Sequence, residues 1–142
     1  MSNGEEGFTG GCLCGAVRYA VRGRPTWIAH CHCRSCRRQT GSAVAPFVGI
    51  SRAQLTWLGE TPRSHQSSPG VTRSFCPHCG TPIAYETEQR PEDVDLHLGT
   101  LDEPERFPPR FHVHDAERIA WLHIEDGLPR YAGSSDGGGQ PA

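Results

Sequence analysis

The 142-residue sequence is poor in apolar mass: hydrophobic residues make up 35% of it, low for a globular protein. Its longest largely apolar run, Ala43 to Ile50, is far too short to cross a bilayer. The opening MSNGEEGFTG has no basic start followed by an apolar run, so no signal peptide is expected and a soluble, cytoplasmic protein is the default. There is no basic excess: the net charge is -2 and the pI about 6.4, which argues against a nucleic-acid partner. No long amphipathic helical pattern is present. Seven cysteines, an odd number, exclude a complete disulfide framework. In a reducing compartment clustered cysteines mean metal or redox chemistry.

What is abundant is glycine and proline, 17 and 12 residues, which favours short strands and many turns. Val17, Tyr19 and Val21 alternate with Ala16, Arg18 and Ala20, the period of a strand. Further strands are expected at Trp27 to Cys31, Ala43 to Ile50, Leu55 to Leu58, Thr72 to Cys76, Ile83 to Glu86, Val94 to Leu98 and Phe111 to His114. Arg34 to Gln39 and Asp115 to Ala120 each suit one helical turn, the second with Asp115 as N-cap. The fold class is therefore mainly β with a few short helical turns. Residues 1–7 read as a flexible N-terminus, 8–132 as one domain and 133–142 as a flexible Gly-rich tail. A core this thin calls for a staple.

The cysteines supply one. They fall into Cys12-x-Cys14, Cys31-x-Cys33-x-x-Cys36 and Cys76-x-x-Cys79. In CPHCG a tight turn converges two sulfurs and several backbone N–H groups on one metal, half of a tetrahedral zinc site, and Gly80 lets the chain leave with positive φ. No βαβ pattern surrounds it to suggest a thioredoxin-like pair. Cys12 and Cys14 with Cys76 and Cys79 would close a four-cysteine site. Cys31, Cys33 and Cys36 would then form a three-ligand set with an open fourth position, the signature of a catalytic zinc. The rival pairing, which joins the central three to one outside cysteine, splits a natural pair; spacing alone leaves both open. His30 and His32 flank Cys31 and His78 lies inside the knuckle; any of them could be a fourth ligand beside the central three cysteines, but in a strand His30 and His32 share the face opposite to Cys31, and His78 should face solvent. Arg34, Arg37 and Arg38 surround Cys36. They form a solvated basic turn or a cationic surface that lowers thiolate pKa values and receives the carboxylates of a thiol such as glutathione. Asp93 and Asp95 read as solvated, His97, His112 and His114 as structural, and Trp27, Phe47 and Trp57 as core.

The segments GGCLCGAVRY at 10–19, CHCRSCRRQTGS at 31–42, SFCPHCGTPIAY at 74–85, LGTLDEPE at 98–105 and DGLPRY at 126–131 together resemble the glutathione-dependent formaldehyde-activating enzyme family, also called the CENP-V/GFA domain. The resemblance covers roughly residues 8 to 131. It implies twisted β-sheets around a zinc-binding centre, a β-tent. It also implies a structural zinc on Cys12, Cys14, Cys76 and Cys79 and a second, exchangeable zinc on Cys31, Cys33 and Cys36. The implied activity is that of a carbon–sulfur lyase joining glutathione to formaldehyde or another small aldehyde, giving an S-hydroxymethylglutathione-like product. Cys31, Cys33 and Cys36 are the expected reaction centre, and Arg34, Arg37 and Arg38 the expected glutathione-binding residues. The partners are then a small-molecule thiol and aldehyde, with no membrane. Exposed strand edges allow a homodimer. Two other readings compete: a zinc-stabilised binding module, since some relatives are chromosome-associated, and a thiol redox or zinc-buffer protein without catalysis.

Overall fold

The computed structural model describes residues 7–134. Ten strands dominate: β1 Phe8–Gly11, β2 Arg18–Val21, β3 Trp27–Cys31, β4 Ala45–Ser51, β5 Leu55–Trp57, β6 Arg63–Ser68, β7 Val71–Phe75, β8 Pro82–Thr87, β9 Asp93–His97 and β10 Phe111–Val113. Among the described residues there is one α-helix, α1 Arg34–Thr40. The strands form two sheets, in the orders β1-β2-β5 and β10-β3-β4-β9-β8-β7-β6. The mainly β class is as expected, with short 3-10 turns between strands. The chain divides into two compact units, Met1–Trp27 with Val48–Phe107 and Ile28–Phe47 with Pro108–Ala142. Among the described residues, no helix is long and apolar enough to cross a membrane. The flexible ends expected from composition fall mainly on 1–6 and 135–142, outside the described residues.

In the first unit β2 lies between β1 and β5, antiparallel to both. The period-two pattern is realised: Val17, Tyr19 and Val21 are buried. The Tyr19 hydroxyl sits 2.7 Å from Thr100 Oγ1. A Cβ on Gly10 would lie 2.3 Å from that hydroxyl, so the FTGG strand needs a residue without a side chain there. Phe8 packs on Phe107, ring centroids 4.7 Å apart. The antiparallel run of β6, β7, β8 and β9 puts Arg73, Tyr85 and Asp95 in one cross-strand row. The Arg73 guanidinium lies 4.9 Å from the Tyr85 ring centroid.

Two expectations change in this unit. Asp95 is buried, not solvated, and two Arg90 N–H groups reach its carboxylate at 2.7 and 3.2 Å; a buried charge persists because it is paired. Trp27 and Trp57 are half-buried rather than core residues. Trp27 lies on the bare backbone of Gly49, where a Cβ would fall 2.1 Å from the indole.

In the second unit β10 pairs with β3 in parallel, His112 opposite His30 and Val113 opposite Cys31. Helix α1 begins immediately after. Its N-cap is Cys33, whose Sγ accepts the Cys36 N–H, and it ends at Gly41 with φ 70°, the left-handed conformation glycine supplies at least cost. The single turn expected at Arg34 to Gln39 is thus a seven-residue helix. The expected turn near Asp115 is a 3-10 segment, Asp115–Glu117, with His114 at φ 54° in the N-cap position in place of Asp115 and no side-chain capping bond. The Asp115 carboxylate instead accepts Arg130 Nη1–H at 2.9 Å.

Candidate metal centres

All seven cysteines carry free thiols and none is in a disulfide. The structure brings them together as four and three: Cys12, Cys14, Cys76 and Cys79, with sulfurs all within 4.8 Å of one another, and Cys31, Cys33 and Cys36 by the same measure. The rival pairing is not formed. A tetrahedral zinc with Zn–S bonds of about 2.3 Å separates its sulfurs by about 3.8 Å. Cys12 and Cys14 stand 3.6 Å apart, Cys14 and Cys76 3.7 Å, and Cys31 and Cys36 3.7 Å. These separations, with donor sets of thiols alone, fit zinc at both places.

The four-cysteine centre lies within the first unit. The loop after β1 supplies Cys12 and Cys14, and the knuckle between β7 and β8 supplies Cys76 and Cys79. Backbone N–H groups point at the sulfurs: Val17 to Cys12 at 3.3 Å, and His78 and Cys79 to Cys76 at 3.3 and 3.4 Å. Burial opposes ionisation of Cys12, but the Val17 N–H and the neighbouring thiols outweigh it and its pKa falls. Hydrogen bonds from the Thr81 hydroxyl and backbone bring Cys79 to about 5. Two of the four thiols are thus eased toward the thiolate form a metal requires, while, against the Ala16 backbone, the Cys12 thiol and the other neighbouring sulfurs push Cys14 up to about 12. Gly80 leaves the knuckle at φ 79°, as its place in CPHCG requires. His78 is exposed and paired with Glu60 at 2.7 Å, and that carboxylate raises its pKa.

The three-cysteine centre lies within the second unit, at the end of β3 and the start of α1. Cys31 and Cys36 are buried and Cys33 is half-buried. Hydrogen bonds from Cys31 and Cys36 lower the Cys33 pKa; the same contacts and burial raise that of Cys31. Cys33 therefore ionises before Cys31. The arginines divide. Arg37 is half-buried and occupied by the His32 and Glu117 carbonyls, each at 3.3 Å. Arg34 and Arg38 are exposed; the Arg34 backbone N–H donates to Glu117 Oε1 at 2.9 Å. Glu117 was not marked by the sequence, because a lone acidic residue in a polar stretch carries no signal.

His30 and His32 share a face, as a strand requires, and that face is packed. Both rings stack on His112, with centroids 4.9 and 5.1 Å away. His32 Nε2 lies 2.8 Å from His112 Nδ1, and His112 Nε2 lies 2.8 Å from Asp126 Oδ2. Burial lowers the pKa of His32 to about 4. Sequence reasoning did not assemble this cluster, because the parallel pairing of β3 and β10 joins residues with no common spacing.

A mainly β chain with two cysteine centres of this kind has relatives. Residues 7–117 match the family described as glutathione-dependent formaldehyde-activating enzyme, and the chain belongs to that family. A Halomonas elongata protein named provisionally for that activity is 29% identical over 126 residues, covering 82% of this chain and 80% of its own. An uncharacterized lyase of Schizosaccharomyces pombe is 31% identical over 95 residues, 64% of this chain and 67% of that one. A crystal structure of a Rhodobacter sphaeroides protein aligns with a TM-score of 0.56 at 24% identity, covering 66% of this chain and 87% of that one; it shares the fold.

Proposed function

We propose that residues 8–132 form a zinc-dependent carbon–sulfur lyase of the glutathione-dependent formaldehyde-activating type. In this reading Cys31, Cys33 and Cys36 form the reaction centre and Cys12, Cys14, Cys76 and Cys79 a structural centre. The observation that carries it is the converged set of three cysteines. Every cysteine of the chain lies among the described residues, and the other four belong to the other centre, so no fourth cysteine completes the central set and a coordination position is left for an exogenous ligand. When bound, zinc would supply Lewis acidity and favour the thiolate form of a thiol substrate.

The reaction is an addition. The glutathione sulfur forms a bond to the formaldehyde carbon, the carbonyl π electrons move to oxygen, and the thiol proton ends there as the hydroxyl of S-hydroxymethylglutathione. The reverse step breaks the same carbon–sulfur bond. This chain's residues have three tasks. Cys31 and Cys36 are buried and fix the inner sulfurs. The Cys36 N–H, 3.2 Å from Cys33 Sγ, stabilises negative charge on the half-buried sulfur. Arg34 and Arg38, four residues apart on exposed helix, offer two guanidinium groups to the carboxylates of glutathione, while Arg37 holds α1 in place.

Exchange NMR of formaldehyde and glutathione measures the rate at which the adduct forms and breaks. Cys33→Ser should reduce the protein-dependent rate to background with the far-UV dichroism unchanged. Retained activity would place the chemistry elsewhere. Arg38→Ala should raise KM for glutathione several-fold with a smaller change in kcat, since a surface cation contributes mainly to substrate capture; an unchanged KM would remove Arg38 from the binding surface.

A further inference from the structure

We propose that His30, His112 and Asp126 form a third metal site, for a first-row divalent cation such as zinc, made of nitrogen and oxygen donors and separate from both cysteine centres. One donor atom from each of these side chains lies within 4.8 Å of the other two. Two imidazoles and a carboxylate are a recurrent donor set for such ions and leave coordination positions open.

Three observations favour this site over an ordinary hydrogen-bond cluster. First, His30 Nδ1 is buried and has no hydrogen-bond partner; a buried nitrogen left unpaired costs free energy, and a metal would use its lone pair. Second, the two oxygens of Asp126 are differentiated. Oδ1 accepts the Leu128 N–H at 3.1 Å and lies 3.8 Å from Arg130 Nη2, while Oδ2 is turned to His112 Nε2 at 2.8 Å. The carboxylate is thereby held with one oxygen aimed at the imidazole. Third, Asp126 is exposed, so an ion has a way in from solvent although His112 is fully buried.

A second grouping, His32, His112 and Asp115, also has its donor atoms within 4.8 Å of one another but is the weaker cation site. Its carboxylate oxygen already faces Arg130 Nη1 at 2.9 Å and Arg118 Nε at 3.8 Å, and those fixed cations repel another positive charge. His32 has a different part. With a metal on His112 Nε2, the His112 proton resides on Nδ1 and donates to His32 Nε2, 2.8 Å away. Such an outer partner fixes the tautomer and ring orientation of a ligating histidine.

The test counts metal on the tag-free full chain. Wild type, Asp126→Asn and His30→Gln are each equilibrated with excess zinc, gel-filtered and measured by native mass spectrometry. Wild type should carry one more zinc per chain than either variant, with cysteine-bound zinc unchanged in all three. Cobalt(II) added to zinc-loaded wild type should give ligand-field bands without thiolate-to-metal charge transfer, and Asp126→Asn should weaken that binding at least tenfold. Equal zinc counts in wild type and both variants, or cobalt uptake with only the thiolate signature, would overturn the site. Asp126 is exposed and His30 half-buried, so both variants keep the fold within reach of the measurement.

Discussion

A histidine enclosed by protein gives up its proton earlier than one in water, because burial penalises the charged form. His97 is 7% exposed, and burial, with the nearby Arg73 charge second, lowers its pKa from 6.5 to about 4. The unfolded chain therefore binds a proton below pH 6.5 that the folded chain refuses until about pH 4. Stability from this residue is complete above pH 6.5 and is lost as the pH falls toward 4. The loss at pH 4.5 is about 2.5 kcal/mol, from 1.36 kcal/mol per pKa unit. Denaturant unfolding of zinc-saturated His97→Gln should show a correspondingly smaller drop between pH 7 and 4.5 than wild type; parallel curves would refute it. Gly49 makes the opposite kind of demand. A methyl group there meets the Trp27 ring at 2.1 Å, so Gly49→Ala should cost about 2 kcal/mol through overpacking, read as a lower urea midpoint. At this scale the cysteines were legible in the sequence, since their spacing is itself the chemistry. Asp95 was not: its burial depends on Arg90, and alternation along a strand says which faces differ without saying that a polar face will be covered.

Elements were legible where apolar residues mark them. Strands β2 to β5 and β7 to β10 follow runs of branched and aromatic residues. Strands β1 and β6 were missed for two reasons. FTGG has too little side chain to show a period, and RSHQSS is exposed at every position, an edge strand held by backbone pairing to β7. The polar sequence of β6 suits an edge, where an apolar strand would recruit other chains. Helix α1 is too short to be stable alone, and its attachment is tertiary. Glu117 accepts the Arg34 N–H and its carbonyl accepts Arg37 Nη2–H. Glu117→Ala removes only the side-chain acceptor at the first helical residue, and a loss of about 1 kcal/mol is expected, as for a capping residue. Calorimetry that finds no change in Tm would show the bond to be replaced by water.

For the molecule as a whole, the four-cysteine centre brings residues 12–14 beside 76–79 within one unit, and a zinc held there would fasten them together. Apparent binding energies of about 10–16 kcal/mol for structural zinc in small peptides match or exceed the total stability of an ordinary domain, about 5–15 kcal/mol. Prolonged treatment with a strong chelator, and equally Cys76→Ser, should therefore yield unfolded or insoluble protein, followed by far-UV dichroism and light scattering. A soluble Cys76→Ser chain with native dichroism would show that packing suffices without this centre. The interleaving of the two units was beyond the reach of sequence reading, because no composition shift marks residues 28 or 48.

That interleaving also sets an order of events during synthesis. The second unit is assembled from Ile28–Phe47 and a segment that begins at Pro108, and His112 is 80 residues further along the chain than His32, its hydrogen-bond partner. At about 5–20 residues per second, the ribosome takes roughly 4–16 s to supply the strand that covers β3. Throughout that interval Cys31, Cys33 and Cys36 lie on a segment whose strand partner β10 and helix anchor Glu117 have not both been made. An ion captured then is held by a nascent segment that can still exchange it. If the central cysteines hold an ion, its lasting capture waits until β10 has emerged to pair with β3.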